Sequence, residues 1–402
     1  MTKSLMQSNL RLKASLCNLF NNQNFIFAIW VALALAVSIK QAFQPTNNNY
    51  LIFKYVYLHA VERLPLYDFY FNQYQDSNHY GPFFSLVIAP FAQLPDYLGM
   101  LLWQLANIGF LFFAISQLPI GKNKVNLVFW IITHELLTAM FGLQFNISIT
   151  AIIVLAYVFI VQGKNFWAAF VIMLGTFVKL YGIVGLAFFF FAKQKPKFIL
   201  YCIFWAIVMF VAPMLFFSPA YILQCYHDWF VSLSEKQHLN ASLNSMQDIS
   251  VMGMARRISG HASLPNLPFI LGGLFLFGLP YLRIKYYKNE VFRLLILAST
   301  LIFAVIFSNS SESPTYIVAF TGVAVWFVIQ ERPLKPIVII LFIFAFVLTS
   351  LSPSDLFPRY LKETYVKPYS LKALPCILIW LAIIYQLIVE KFKLKPIQHT
   401  HE

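Results

Sequence analysis

The stretch FIFAIWVALALAVSIKQAF, residues 25–43, decides the fold. Its 19 residues hold one charge, Lys40, and about 20 apolar residues suffice for a helix to cross a ~30 Å hydrocarbon core. It is too long for a signal-peptide core and no small-residue cleavage site follows it, so it reads as an uncleaved first span. Outward from it the pattern repeats, with apolar runs near 100–118, 127–143, 147–162, 166–178, 182–192, 199–217, 265–283, 291–308, 314–330, 336–351 and 374–390. Two of these runs are short and meet at Lys179-Leu180-Tyr181-Gly182, as a kinked hairpin or a re-entrant pair. Pro82–Phe91 is apolar but too short to cross and reads as a helix at the interface. The expectation is an all-α polytopic membrane protein, one membrane-embedded unit over residues 1–402 with about 10–12 spans.

Composition agrees. Hydrophobic residues make up 60%, aromatics 18% and charged residues 11% of the 402, against roughly 45–50% apolar and about 25% charged in soluble domains. So few charges cannot cover a surface in water, and 43 Phe would aggregate there. A soluble enzyme, a disordered chain and a nucleic-acid binder are excluded, despite 29 Lys and Arg against 15 Asp and Glu. Cys17, Cys202, Cys225 and Cys376 are scattered and form no CxxC pair.

Basic loops resist translocation. With Lys3, Arg11 and Lys13 placed in the cytoplasm, every second loop is basic, through Lys122 and Lys124, Lys164, Lys193 to Lys197, Arg283 to Lys288, Arg332 and Lys335, and Lys391 to Lys395. The long loops 44–99, 218–264 and 352–373 then fall outside, and the outer connections collect ten of the fifteen acids. Both termini are expected in the cytoplasm, and the +14 net charge is explained as topology and attraction to anionic lipid. The cytoplasmic connectors are short, and neither GxxxxGK[ST] nor GxGxxG occurs. Chemistry is therefore expected on the outer side of the cytoplasmic membrane. Without ATP or nucleotide sugars there, an activated substrate has to arrive on a lipid.

The first outer loop is the densest polar constellation. It holds Asn47-Asn48-Asn49-Tyr50, then Leu66-Tyr67-Asp68, then Asp76-Ser77-Asn78-His79-Tyr80-Gly81-Pro82. Carboxylates and amides hydrogen-bond sugar hydroxyls, aromatic faces stack on a sugar ring, and a carboxylate can accept a hydroxyl proton. The competing reading is a solvated loop of ordinary turn residues.

Asn49-Tyr50-Leu51-Ile52-Phe53-Lys54, Leu66-Tyr67, His79-Tyr80-Gly81-Pro82-Phe83-Phe84-Ser85, Ala89-Pro90-Phe91, Leu94-Pro95 and Leu102-Trp103 with Asn107 resemble the membrane glycosyltransferases of family 87. Gln144-Phe145-Asn146 is similar to that family's Q-x-N step, and Lys179-Leu180-Tyr181 to its vK-x-yP step. The stretch Asn244 to Arg257, with Gln247-Asp248-Ile249-Ser250 and Met252-Gly253, resembles its N-x-S…G…R stretch, and Glu312-Ser313-Pro314-Thr315-Tyr316 a further outer-end motif. The likeness spans most of residues 25–330, carried by the order of the motifs and their place at outer span ends.

The resemblance implies a GT-C bundle with its site at the outer face. Relatives pass a sugar, commonly mannose, from a polyprenyl phosphate to a lipid-linked or glycan acceptor with inversion, using a carboxylate base. This sequence has no HExxH, DxD or His/Cys cluster, so no metal is expected, and no cofactor either. Partners would be the polyprenyl-phosphate sugar, a glycolipid or glycan acceptor, and membrane lipid. The leaving phosphate calls for a cation, for which Lys179, Arg256 and Arg257 are candidates. Asn48, Asn49, Tyr50, His79, Tyr80, Gln144 and Asn146 are expected to bind sugar or acceptor. One departure stands out: the family's usual acid falls where this chain has Asn48 and Asn49, and an amide cannot act as a base. The base is expected at Asp76, beside His79, with Asp68, Asp248 and Glu312 as alternatives. Asp76 could instead cap the interfacial helix, Lys179 could snorkel, and Arg256-Arg257 could end a surface helix. Of the mid-span pair His134 and Glu135, one should face the bundle interior, since neighbours on a helix point apart.

Two other kinds of protein fit part of this pattern. An O-antigen polymerase or ligase would also carry large outer loops, but Arg-rich ones. A secondary transporter or lipid-sugar flippase would show repeated halves and midplane charges, whereas the long loops here follow the first, seventh and eleventh spans without symmetry. A membrane scaffold would have no use for outer carboxylates set among amides and aromatics.

Overall fold

In lipid every backbone polar group has to be satisfied within its own segment, and an apolar helix does so. The computed structural model describes residues 18–44, 47–245 and 247–393; these are helical, with no strand among the described residues. Lys3, Arg11, Lys13, Cys17 and Lys395, used above for topology and cysteine pairing, lie outside the described residues. The first half consists of α1 (Gln23–Ala42), α2 (Asn48–Glu62), α3 (Phe84–Ala92), α4 (Asp96–Ser116), α5 (Lys122–Phe141), α6 (Asn146–Val161) and α7 (Asn165–Val178), followed by a 3₁₀-helix over Leu180–Phe191. The second half comprises α8 (Lys195–Val211), α9 (Pro219–Asn240), α10 (Val251–Ser259), α11 (Leu267–Gly278), α12 (Glu290–Ile306), α13 (Tyr316–Val328), α14 (Pro336–Phe344) and α15 (Leu374–Val389). Among the described residues, five stretches are long and apolar enough to cross a membrane unaided: α1, α4, α5, Lys195–Leu215 and Leu371–Val389. Six shorter apolar helices stand among them.

Burial sorts the helices. Nearly every residue of α6, α12 and α13 is buried, and a helix that is apolar all round belongs at the centre of a bundle. At the periphery, α8 exposes Leu200, Ile203 and Ile207, α11 exposes Leu271 and Phe275, and α14 exposes Ile340 and Ile343. Apolar side chains exposed in rows along helices of this length face lipid, which makes this a membrane protein.

The short pair at 166–192 resolves into an antiparallel hairpin of α7 and the 3₁₀-helix. Lys179 turns the chain in extended conformation (φ −153°, ψ 114°). Gly182 then lies directly on Gly175 and Thr176, where a Cβ would strike backbone. A 3₁₀-helix rises about 2.0 Å per residue against about 1.5 Å in an α-helix, so its 12 residues reach about 24 Å rather than about 18 Å. A short apolar segment thereby spans most of the ~30 Å core.

The connections fall at two ends of the bundle. At one end Asn49 Nδ2 donates to Gly142 O (2.7 Å), Gly81 N to Val178 O (3.0 Å), Ile249 N to Ser311 O (2.9 Å) and Ser370 Oγ to Asp248 O (3.5 Å). These bonds gather the three long connections over the turns at 142–146, 179–181 and 308–315. At the other end Asn126 Nδ2 donates to Asn21 O (2.7 Å), Arg283 Nη1 to Leu387 O (2.6 Å) and Asn289 Nδ2 to Lys393 O (2.8 Å). The apolar segment after Pro82 folds as the short helix α3, and α2 adds a second helix within the same connection. Of the mid-span polar pair, Glu135 is the inward residue: it binds Lys372 Nζ at 3.0 Å, while His134 Nδ1 meets Ser350 Oγ at 3.1 Å.

Candidate active site

The long connections enclose a cavity of about 370 Å³, within the about 300–1,000 Å³ usual for small-ligand sites. Two carboxylates, Asp76 and Glu312, and two cations, Lys179 and Lys236, line it, with Asn49, His79, Tyr80, Gln144 and Tyr181 between them.

Its floor is a run of hydrogen bonds across three turns. Lys179 Nζ donates to Asn146 Oδ1 (2.8 Å), Asn146 Nδ2 to Gln144 Oε1 (2.6 Å), and Gln144 Nε2 to Glu312 Oε2 (2.8 Å). Glu312 and Lys179 are thus joined through two amides rather than directly. The ammonium also sits over the rings of Tyr80 and Tyr181, 5.4 and 5.2 Å from their centroids, at cation–π range. Burial pushes the Lys179 ammonium down to about 8, with Glu312 opposing that shift and Lys236 adding to it.

The wall comes from the first long connection. Gly81 lets it approach α7 closely, because a Cβ there would strike Phe177 O. That contact brings Tyr80 over Lys179. His79 is held on both sides, Nδ1 at 2.8 Å from Ser232 Oγ and Nε2 at 3.3 Å from Ser77 Oγ, and its carbonyl accepts from Trp229 Nε1 (3.0 Å). Burial first, then Lys236 and Lys179, depress the His79 imidazole to about 3. His79 is therefore a neutral hydrogen-bonding group at any physiological pH.

Asp76 is exposed at the cavity rim, and among the described residues its Oδ1 accepts only from the adjacent Ser77 N (2.8 Å). It does not cap the following helix, which begins at Phe84 with no side-chain cap. Asn48 holds this segment in place, since its Oδ1 accepts from Gln75 N at 2.7 Å.

Other expected site residues stand elsewhere. Tyr50 is fully buried and donates to Phe91 O (3.1 Å), so it packs α2 rather than facing the cavity. Asp68 is exposed and lines no cavity described here. Asp248 and Arg256 are both buried and form an ion pair, with Ser250 Oγ donating to Asp248 Oδ1 (2.6 Å) and Arg256 bound further to Asn266 and Leu264 O. Arg257 holds the carbonyls of Ser245, Gln247 and Asp248. Lys236 is the residue that sequence reasoning missed: a lone lysine on a polar surface helix carries no signal. Among the described residues, no three His, Cys, Asp or Glu side chains converge where they could hold a metal ion.

An amide-lined pocket with two carboxylates and a caged ammonium suits a polyhydroxylated, phosphate-bearing ligand. No curated protein matches the chain. The model of glycosyltransferase family 87 does, over residues 78–309, beginning two residues after Asp76 and ending before Glu312. With more than half of its length matched, the chain belongs to glycosyltransferase family 87.

Proposed function

We propose that this glycosyltransferase moves a hexose, mannose in the first instance, from a polyprenyl-phosphate donor to a lipid-linked or glycan acceptor. The cavity end of the bundle is placed at the outer face of the cytoplasmic membrane, with both termini on the other side. The observation that carries the reading is the single cavity shared by an unpaired carboxylate, Asp76, and a caged ammonium, Lys179. Lys335, Lys391 and Lys393 at the opposite end support the orientation, because basic connectors stay in the cytoplasm.

In the proposed step Asp76 takes the proton of the acceptor hydroxyl, and that oxygen attacks the anomeric carbon from the face opposite the phosphate. The anomeric C–O bond to phosphate breaks, and its electron pair leaves on the polyprenyl phosphate, whose charge Lys179 and Lys236 stabilise. The result is a glycosidic bond of inverted configuration, as in the general-base half of inverting hydrolysis with a hydroxyl in place of water. Glu312 holds the Gln144–Asn146 relay that orients Lys179. Asn49, His79, Tyr80 and Gln144 are positioned to bind sugar hydroxyls.

The test supplies the purified protein, in lipid, with labelled polyprenyl-phosphate mannose and related donors. The reading requires label in glycolipid or glycan. Movement of intact sugar-lipid across vesicles without transfer would make the protein a flippase or transporter. Turnover of a diphosphate-linked oligosaccharide would make it a polymerase or ligase.

A further inference from the structure

Beside the Asp76–Lys179 cavity lies a second, of about 270 Å³, bounded by the third long connection. Arg257, Lys362, Lys367 and Lys372 line it with four serines, and no carboxylate is among its lining residues. Two of these cations are neutralised from outside the cavity: Lys372 by Glu135 at 3.0 Å and Lys367 by Glu363 at 2.8 Å. The other two make no side-chain ion pair within 4 Å among the described residues, although Asp248 lies near Arg257 and Glu363 near Lys362. Arg257 bonds backbone carbonyls, and Lys362 Nζ donates to Pro353 O at 3.1 Å. A concave site whose wall carries cations and no carboxylate concentrates anions, and guanidinium and ammonium donors match phosphate oxygens.

The two cavities share a wall. Gln247 lines both, and its Oε1 is buried with no hydrogen-bond partner among the described residues. Glu312 faces one cavity and Ser313 the other. On the same connection as Lys362, the exposed Leu356, Tyr360, Tyr365 and Tyr369 form a surface suited to the membrane–water boundary.

We infer that this second cavity seats the phosphate or diphosphate group of a lipid-linked acceptor, whose hydroxyl passes Gln247 to reach Asp76. The inference rests on the transferase reading. The donor's phosphate is already met by Lys179 and Lys236, so the second cationic cavity serves the other substrate. The Tyr-bearing connection admits its lipid from the bilayer.

The test reads the acylation rate of Lys362 by peptide mass spectrometry, with the full chain in phosphatidylcholine nanodiscs. Three preparations are compared: no addition, sodium diphosphate, and nanodiscs doped with phosphatidic acid. At saturating phosphatidic acid the acylation of Lys362 slows about tenfold, with Lys335 unaffected as reference. Equal protection by sodium diphosphate assigns the cavity to a soluble anion and overturns the acceptor assignment. No protection, or equal slowing at Lys335, overturns it as well. In the transfer assay, Lys362→Gln raises the acceptor KM and leaves the donor KM unchanged. Protection of Lys362 without sugar transfer by any donor would sink the transferase reading alone and leave an anionic-lipid site standing.

Discussion

Asp248 with Arg256, and Glu312 with Lys179, are the same two charges built in two ways. In the first, both side chains are buried and bonded directly to each other, and Ser250 and Asn266 occupy further bonding positions. Nothing is left over for a ligand. In the second, Gln144 and Asn146 stand between the partners, the ammonium is kept between two tyrosine rings, and Asp76 completes the same cavity with a carboxylate that binds only its own neighbour. Charge in this protein faces a cavity where amides and aromatics hold it, and is closed off where an opposite charge binds it directly.

The comparison breaks most sharply at Asp76. Asp76→Asn should lower kcat by about 10²–10⁴-fold, the range of a lost general base, with the melting temperature unchanged because the side chain is exposed. A silent Asp76→Asn with an inactive Glu312→Gln would move the base to Glu312. Next in size, Arg256→Gln leaves Asp248 buried without its ion-pair partner and should cost about 3–5 kcal/mol of stability. Thermal unfolding in nanodiscs reads that loss, and the remaining folded fraction should keep its specific activity.

Lys179→Gln should lower kcat/KM by about 10²-fold, comparable to removing one preorganised charge-stabilising donor. The same ammonium sets a pH limb. Its pKa is lowered to about 8, so the cationic form is present below that value and lost above it. Activity should therefore fall as pH rises through about 8, and Lys179→Arg should move the fall upward. His79, neutral well above its depressed value, should add no limb near neutrality. The smallest effect belongs to Asn48→Ala, which frees the Gln75 amide beside Asp76. One hydrogen bond of about 1 kcal/mol corresponds to roughly a fivefold loss of kcat, with donor KM unchanged.

Much of this was legible in the sequence, for identifiable reasons. Hydropathy and length mark the spans because lipid leaves a chain few alternatives to a helix, and the motif order pointed to a family that the match over residues 78–309 bears out. The hairpin at 166–192 was ambiguous, because hydropathy does not distinguish an α-helix from a 3₁₀-helix packed glycine to glycine. Within the cavity, Asn49, Asp76, His79, Tyr80, Gln144, Lys179 and Glu312 each belong to a cluster or motif that the sequence displays. Asp248 and Arg256 carry the same letters as a site and are closed by a tertiary ion pair that no local pattern announces. Tyr50 is drawn away by packing on Phe91 O, and Lys236 depends on where α9 comes to rest.

The most direct measurement follows an anomerically pure, isotopically labelled polyprenyl-phosphate hexose through the purified protein and reads the product's anomeric coupling by NMR. Label in an acceptor with configuration opposite to that of the donor is the predicted result. Retained configuration, or label that never leaves the polyprenyl phosphate, would contradict a direct displacement driven by Asp76.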